Sequence, residues 1–444
     1  MQRLYENLFY DKTINALFTD ESTVAYMLQF EAALAKAQAI HGMIPKAVAT
    51  AIEAACVVEN IDFEALITGV GLGGNVNIPM IKQLTNVVKR SYTEGGKYVH
   101  FGATSQDVID TATVLQARDA LVLIHKNIEI LIAQLIYLID NHRDTLMIGR
   151  SFMQQARPIT FGFKVATWLD GILRSKKRIE HLLQNNLPSQ LGGAVGTLAS
   201  MPEKGLLITE TMATLLGLST PSVSWHTQRD NLAEIATTLG ILTGSLSKIA
   251  KDISLLMQTE IAEVFEPSGA GKGGSSTMPH KRNPVGCTAI LANATRVPPL
   301  VSTMLLSMTQ DHERATGTWH TEWETLSDII KLTAGALRQA NDITNGLEVD
   351  KERMLKNIDI TEGLIFAENI SLALAEKIGK AEAYELVEAA CKEAIKTHKQ
   401  LKNIILENDT AMRHLDIEQL DALFDPKNAV GFCYVFIERL IGFK

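Results

Sequence analysis

The sequence predicts an all-α fold. Apolar residues recur at three- and four-residue intervals over stretches far longer than an average helix of about 11–12 residues. Proline is scarce, 12 in 444 residues, and runs that alternate like a strand are few. Helices of that length, amphipathic or apolar on more than one side, need neighbours along their whole extent, and a bundle supplies them.

Three helical domains follow in order. Residues 1–103 read as an N-terminal helical domain of shorter helices with glycine-rich punctuation, notably Gly69-Val70-Gly71-Leu72-Gly73-Gly74. Residues 104–346 read as a central long-helix bundle domain. From Asp107 to Asn141 the positions Val108, Ala112, Leu115, Leu121, Ile124, Ile128, Ile132, Leu135 and Ile139 keep helical spacing. Phe161 to Leu187, Asn231 to Phe265 and Glu322 to Ile343 do the same, and Pro298-Pro299 is expected to kink or break the helix that begins after Pro284. Residues 347–444 return to shorter segments, with a turn at Asp425-Pro426, and form a C-terminal helical domain.

Composition narrows the function. Lys+Arg 42 against Asp+Glu 50 gives a formal charge of -8, which argues against an electrostatic grip on nucleic acid or an anionic membrane. A local cationic pocket can still bind an anion. Cys56, Cys287, Cys391 and Cys433 are far apart with no Cys-x-x-Cys pair, so a reducing, cytoplasmic setting is expected. The start, Met1 to Asn7, lacks the build of a signal peptide, and the apolar stretch Leu131 to Ile139 is interrupted by Gln134 and ended by Asp140, so no membrane span is expected. The histidines show no metal-ligand spacing, and neither a metal nor a cofactor is expected.

Four polar clusters stand at the ends of predicted long helices. The richest runs from Ser268 to Pro284 and combines Gly269, Gly271, Gly273 and Gly274 with Ser275, Ser276, Lys272, Lys281, Arg282 and Asn283. Glycine lets backbone N–H groups approach an anion closely, and the cations add charge, although a flexible linker also uses glycine and serine. It is not a Walker A loop. The second cluster, His100 to Thr111, places Thr104 and Ser105 where either can cap the following helix. The third is Gly149 to Thr160 and the fourth Trp225 to Asp230. Taken singly each is as readily structural as functional. The stretches Glu313-Arg314 and Trp319-His320 fit either a lining of the same pocket or a connection between two helices, and the connection is the preferred reading.

Gly274 to Pro284 resembles the signature loop of the fumarase/aspartase superfamily, G-S-S-x-M-P-x-K-x-N. His100 to Ala112 is similar to its T-S-x-D region and Gly149 to Thr160 to its third conserved region. The resemblance implies a helical homotetramer of three-domain subunits, with each active site composed of one region from each of three subunits. Ala16 to Glu21, Phe30 to Ala35 and Trp225 to Asp230 resemble the 3-carboxy-cis,cis-muconate cycloisomerase branch, which implies lactonisation of a small tricarboxylate in protocatechuate degradation. Superfamily lyases usually carry Thr-His in G-R-T-H-x-Q, where this chain has Ser151 and Phe152. Phenylalanine cannot protonate a leaving amine, a contribution worth roughly 10²–10⁴ in rate. A carboxylate of pKa near ~4 departs without a proton, so the exchange fits lactone chemistry.

By the same resemblance Ser275 is the proton-transfer residue, and Lys281 and Asn283 hold a substrate carboxylate and the developing enediolate. His100, Thr104, Ser105, Gln154, His226, Arg229 and Met278 are implied substrate-binding residues. The rival readings are an adenylosuccinate lyase-type elimination, in which His100 or His226 replaces the missing acid, and a non-catalytic helical scaffold. Retention of Ser275, Lys281 and Asn283 together speaks against the scaffold.

Overall fold

The computed structural model describes residues 4–269, 273–274 and 277–442. The fold is all-α, and the long helices lie where the apolar periodicity places them. They are Ser105–Asn141, Phe161–Asn185, Asp230–Leu256, Val285–Leu306 and Thr318–Thr344. Helix Asp230–Leu256 ends earlier than its apolar pattern, because Val264–Phe265 leaves the helix to form a short strand. The glycine run at 69–74 is also not simple punctuation: Phe63–Gly73 is helical and ends at Gly74.

Helix Val285–Leu306 is continuous across Pro298 and Pro299, contrary to the expectation that they break it. Two backbone N–H groups are lost there, but Ile290, Val297 and Met304 stay buried on its inner face, and packing outweighs the missing bonds. Ser105–Asn141 and Val285–Leu306 are long and apolar enough to cross a membrane by length and composition. Leu115, Leu121, Ile124 and Ile128 of the first are nonetheless buried in the protein's own interior.

The chain divides into two compact units. The first comprises Met1–Glu129, Arg174–Ser247 and Ala289–Gln339. Its core gathers Leu28, Phe30, Leu34, Ile52, Leu84 and Leu115 with Ile208, Met212 and Trp319. Helix Asp20–Ile40 packs against Lys46–Ala55 and Gly205–Leu216 there. The second unit comprises Ile130–Leu173, Lys248–Thr288 and Ala340–Lys444. Buried clusters there gather around Ile370, Leu374, Val387, Leu401 and Leu420, and around Ile148, Ile358 and Phe366.

The second unit also holds the strands. β1 (Leu146–Ser151) and β2 (Gln154–Thr160) form an antiparallel hairpin with an irregularity between Ile148 and Arg150. β3 (Val264–Phe265) pairs with β4 (Glu348–Val349). The hairpin replaces the polar lead-in expected before helix Phe161–Asn185.

Candidate active site

In the first unit the site is built on the start of helix Ser105–Asn141. Asp107, fully buried, acts as a hub there. One oxygen accepts the Thr104 N–H at 2.9 Å, closing the first turn, and also the Gly193 N–H at 3.0 Å. The other accepts the Gly192 N–H at 3.0 Å and lies 2.7 Å from His226 Nε2. By accepting from these groups the carboxylate fixes both the glycine turn and the imidazole. Gly193 has φ of +73°, a conformation that favours glycine. The T-S-x-D pattern contains Asp107, but sequence reasoning gave it no role.

His100 stands just before that helix with φ of +58°. Its Nδ1 is 2.6 Å from Glu31 Oε1, and Asn77 Nδ2 lies 3.4 Å from both His100 Nε2 and Ser105 Oγ. Glu31 is itself buried, in helix Asp20–Ile40. Burial of the imidazole works against its charge, but the Glu31 carboxylate and more distant Asp107 outweigh that and raise its pKa. His100, Ser105, Thr104 and His226 therefore meet in one neighbourhood, tied together through Asp107 and Asn77.

Arg229 stands in a different setting. It is buried and its guanidinium is already held by two carboxylates of its own chain. Nη1 and Nη2 donate to Asp110 at 2.7 and 2.9 Å, and Nη2 and Nε donate to Glu322 at 2.6 and 3.0 Å. The guanidinium also lies over the Trp225 ring at 4.8 Å, and Trp319 Nε1 donates to Asp110 at 2.9 Å. The edges of the Arg229 guanidinium are thus taken up by carboxylates of its own chain. Its partners keep it charged despite burial; Glu322 is pushed up by burial, against the pull of Arg229.

Beside Thr104 stands another cation, Arg314, from the stretch read as a connection. Its Nη1 donates to Thr104 Oγ1 at 2.9 Å, and the guanidinium lies 5.9 Å from the Trp319 ring centroid. Among the described residues no carboxylate pairs with it. Its bond to Thr104 spans 210 residues, so local sequence could not choose between a pocket-lining and a linking role.

The second unit carries the other candidates. Ser275 and Ser276 lie outside the described residues. Lys281 is exposed, and among the described residues its ammonium has no partner. Asn283 donates its N–H to Gly273 O at 2.8 Å and its Nδ2 to Gly274 O at 3.3 Å. Met278 is 44% exposed. Gln154 is exposed at the hairpin tip, paired in register with Ser151. Between them Phe152 and Met153 have φ of +47° and +68°, and Phe152 is 98% exposed. The hairpin base is fixed: Arg150 forms two bonds to buried Glu263, at 2.7 and 3.0 Å, and Gln155 Nε2 donates to Asn357 O.

The arrangement presents cations and directed donors suited to carboxylates. Among the described residues no group of three or more His, Cys, Asp or Glu is placed to hold a metal ion.

A family model described as lyase matches residues 10–298, and one described as adenylosuccinate lyase C-terminus matches residues 363–440. The chain is 47% identical to 3-carboxy-cis,cis-muconate cycloisomerase of Acinetobacter baylyi, over 97% of this chain and 96% of that protein. It is 45% identical to the protein of the same name from Bradyrhizobium diazoefficiens, over 96% and 95%. Its fold is similar to the crystal structure of β-carboxy-cis,cis-muconate cycloisomerase from Acinetobacter calcoaceticus, with a TM-score of 0.94, 43% identity and 100% of both chains covered.

Proposed function

The chain belongs to the lyase family of the fumarase/aspartase superfamily, and on that footing we propose that it closes 3-carboxy-cis,cis-muconate to 4-carboxymuconolactone. The observation that carries this reading is identity of 44–47% to cycloisomerases of that name over nearly the whole chain. Phe152 supports it physically, since the tip of the hairpin offers no proton to a leaving amine.

The reaction is an intramolecular addition. A carboxylate oxygen forms a C–O bond to the conjugated alkene, and the displaced electron pair moves onto the opposite carboxyl as an enediolate. A proton then reaches the adjacent carbon, so the trianionic substrate becomes a dianionic lactone and one proton is taken up per turnover. Substrate connectivity already supplies proximity, leaving the protein to fix a reactive rotamer and stabilise the new charge. Ser275 is the proposed proton-transfer residue, and Lys281 and Asn283 the groups that meet the enediolate. His100, Thr104, Ser105, His226, Gln154 and Met278 contact the substrate, and Arg314 takes the carboxylate role first expected of Arg229.

We further read the protein as a cytoplasmic homotetramer in which each site takes the 100–112, 149–160 and 274–284 regions from three subunits. Supporting the assembly, only 33% of the most apolar window of helix Ser105–Asn141 is buried within one chain. Val122, Ile130 and Tyr137 on that helix are exposed. The four cysteines, all thiols, support a reducing setting.

The match of residues 363–440 to an adenylosuccinate lyase C-terminus favours one alternative, elimination from adenylosuccinate. A metal-free ultraviolet assay separates the two by following the conjugated diene of 3-carboxy-cis,cis-muconate, with adenylosuccinate in parallel and Ser275→Ala as control. Diene loss in the unsubstituted enzyme, slowed about 10²–10⁴-fold in the variant, is expected. A flat muconate trace with turnover of adenylosuccinate replaces this reading with the alternative.

A further inference from the structure

One carboxylate in the second unit binds both ends of the segment that carries the signature residues. Glu348, on β4, accepts the Ser268 N–H at 3.1 Å with one oxygen and Arg282 Nη1 at 2.8 Å with the other. Arg282 is fixed from further sides: its Nη2 donates to Glu266 O at 2.7 Å, and its guanidinium lies 4.8 Å from the Phe265 ring centroid. Phe265 is the register partner of Glu348, so strand pairing sets where the carboxylate stands. Glu266 anchors the following helix, accepting the Gly286 and Cys287 N–H groups at 3.0 and 2.7 Å.

Between Arg282 and that helix sits Asn283, with Lys281 on the other side of Arg282. The Asn283 N–H bond to Gly273 O needs glycine at 273, where φ is +65° and an added Cβ would stand 2.9 Å from Asn283 O. Arg282 is thus the fixed point between two groups that must meet a substrate.

We propose that Glu348 is a positioning residue for the reaction: by closing the neck between Ser268 and Arg282 it sets the placement of Lys281 and Asn283. The proposal rests on the roles assigned to those two residues above. The pairing persists at any ordinary pH, because Arg282 and the Ser268 N–H hold the Glu348 carboxyl down to about 2. Misplacing a catalytic group by about 1 Å can cost ~10²-fold in rate, so a solvent-accessible ion pair of little worth to stability can matter to turnover.

The test uses the purified full chain with Glu348→Ala, Glu348→Gln and the exchange Arg282→Glu/Glu348→Arg. In Glu348→Ala kcat should fall about 10–100-fold while the thermal midpoint holds. Glu348→Gln, which keeps an acceptor for Ser268, should fall less, and the exchange should recover part of the loss relative to Arg282→Glu alone. Tryptic cleavage between residues 268 and 284, read on denaturing gels, should quicken in Glu348→Ala whatever the substrate proves to be. If the unsubstituted enzyme ignores muconate, the functional reading fails while the cleavage comparison still tests the closed neck. Unchanged kcat in Glu348→Ala overturns the proposal. So does a kcat loss that tracks a lowered thermal midpoint, with cleavage unchanged and no recovery in the exchange.

Discussion

The two regions that carry candidate residues are built on opposite principles. At the start of helix Ser105–Asn141 the polar groups are buried and bonded to one another: Asp107 serves four donors, and Arg229 is shared by Asp110 and Glu322. In the signature segment Lys281 is exposed and open, Asn283 is half-buried and bonded to the Gly273 and Gly274 carbonyls, and the anchoring pair Arg282–Glu348 is reachable by solvent. Buried charge survives only when paired, so the first region reads as a frame with a few open donors at its edge. An exposed loop carries no such obligation and can leave its cation unpaired for a ligand.

The sharpest break of this comparison is Arg229→Met. It strands two buried carboxylates and should destabilise the fold by about 3–5 kcal/mol, seen as a lower thermal midpoint and a lower urea midpoint. A variant of unsubstituted stability but impaired substrate binding would return Arg229 to the ligand set. Lys281→Met is the opposite case: kcat/KM should drop about 10²–10³-fold with both midpoints unmoved, and a fallen midpoint would show that the loop cation is structural after all.

Glu31→Gln gives the smallest effect and probes the edge between frame and site. His100 has a raised pKa, so its charge adds to stability fully below its ordinary value near ~6.5 and is lost as pH rises through the raised folded value. Substrate binding that uses the imidazolium should weaken on the same alkaline limb. Removing the Glu31 charge should move that limb of the kcat/KM profile to lower pH. A limb that stays in place assigns it to another group.

The contrast also explains what was legible. Helices are written in local periodicity, and the signature segment is contiguous, so both could be read directly. The hairpin could not, because its turn uses Phe152 and Met153 at positive φ instead of the Asn-Gly or Asp-Gly pair that marks such turns. The true surroundings of Arg229 were hidden for another reason: Asp110 and Glu322 are 119 and 93 residues away in sequence. Glu31 is 69 residues from His100. A polar residue at a helix end looks the same whether it faces a ligand or a distant carboxylate.

That single guanidinium joins three helix starts, since Asp110 lies in the first turns of Ser105–Asn141, Glu322 in those of Thr318–Thr344, and Arg229 directly precedes Asp230–Leu256. Its consequence is genealogical. No one of the three positions can drift alone without leaving a charge unbalanced in the interior, so lineages should inherit them as a set or exchange them together for apolar residues. In a collection of homologous chains, their joint variation would be the visible trace of one buried cation.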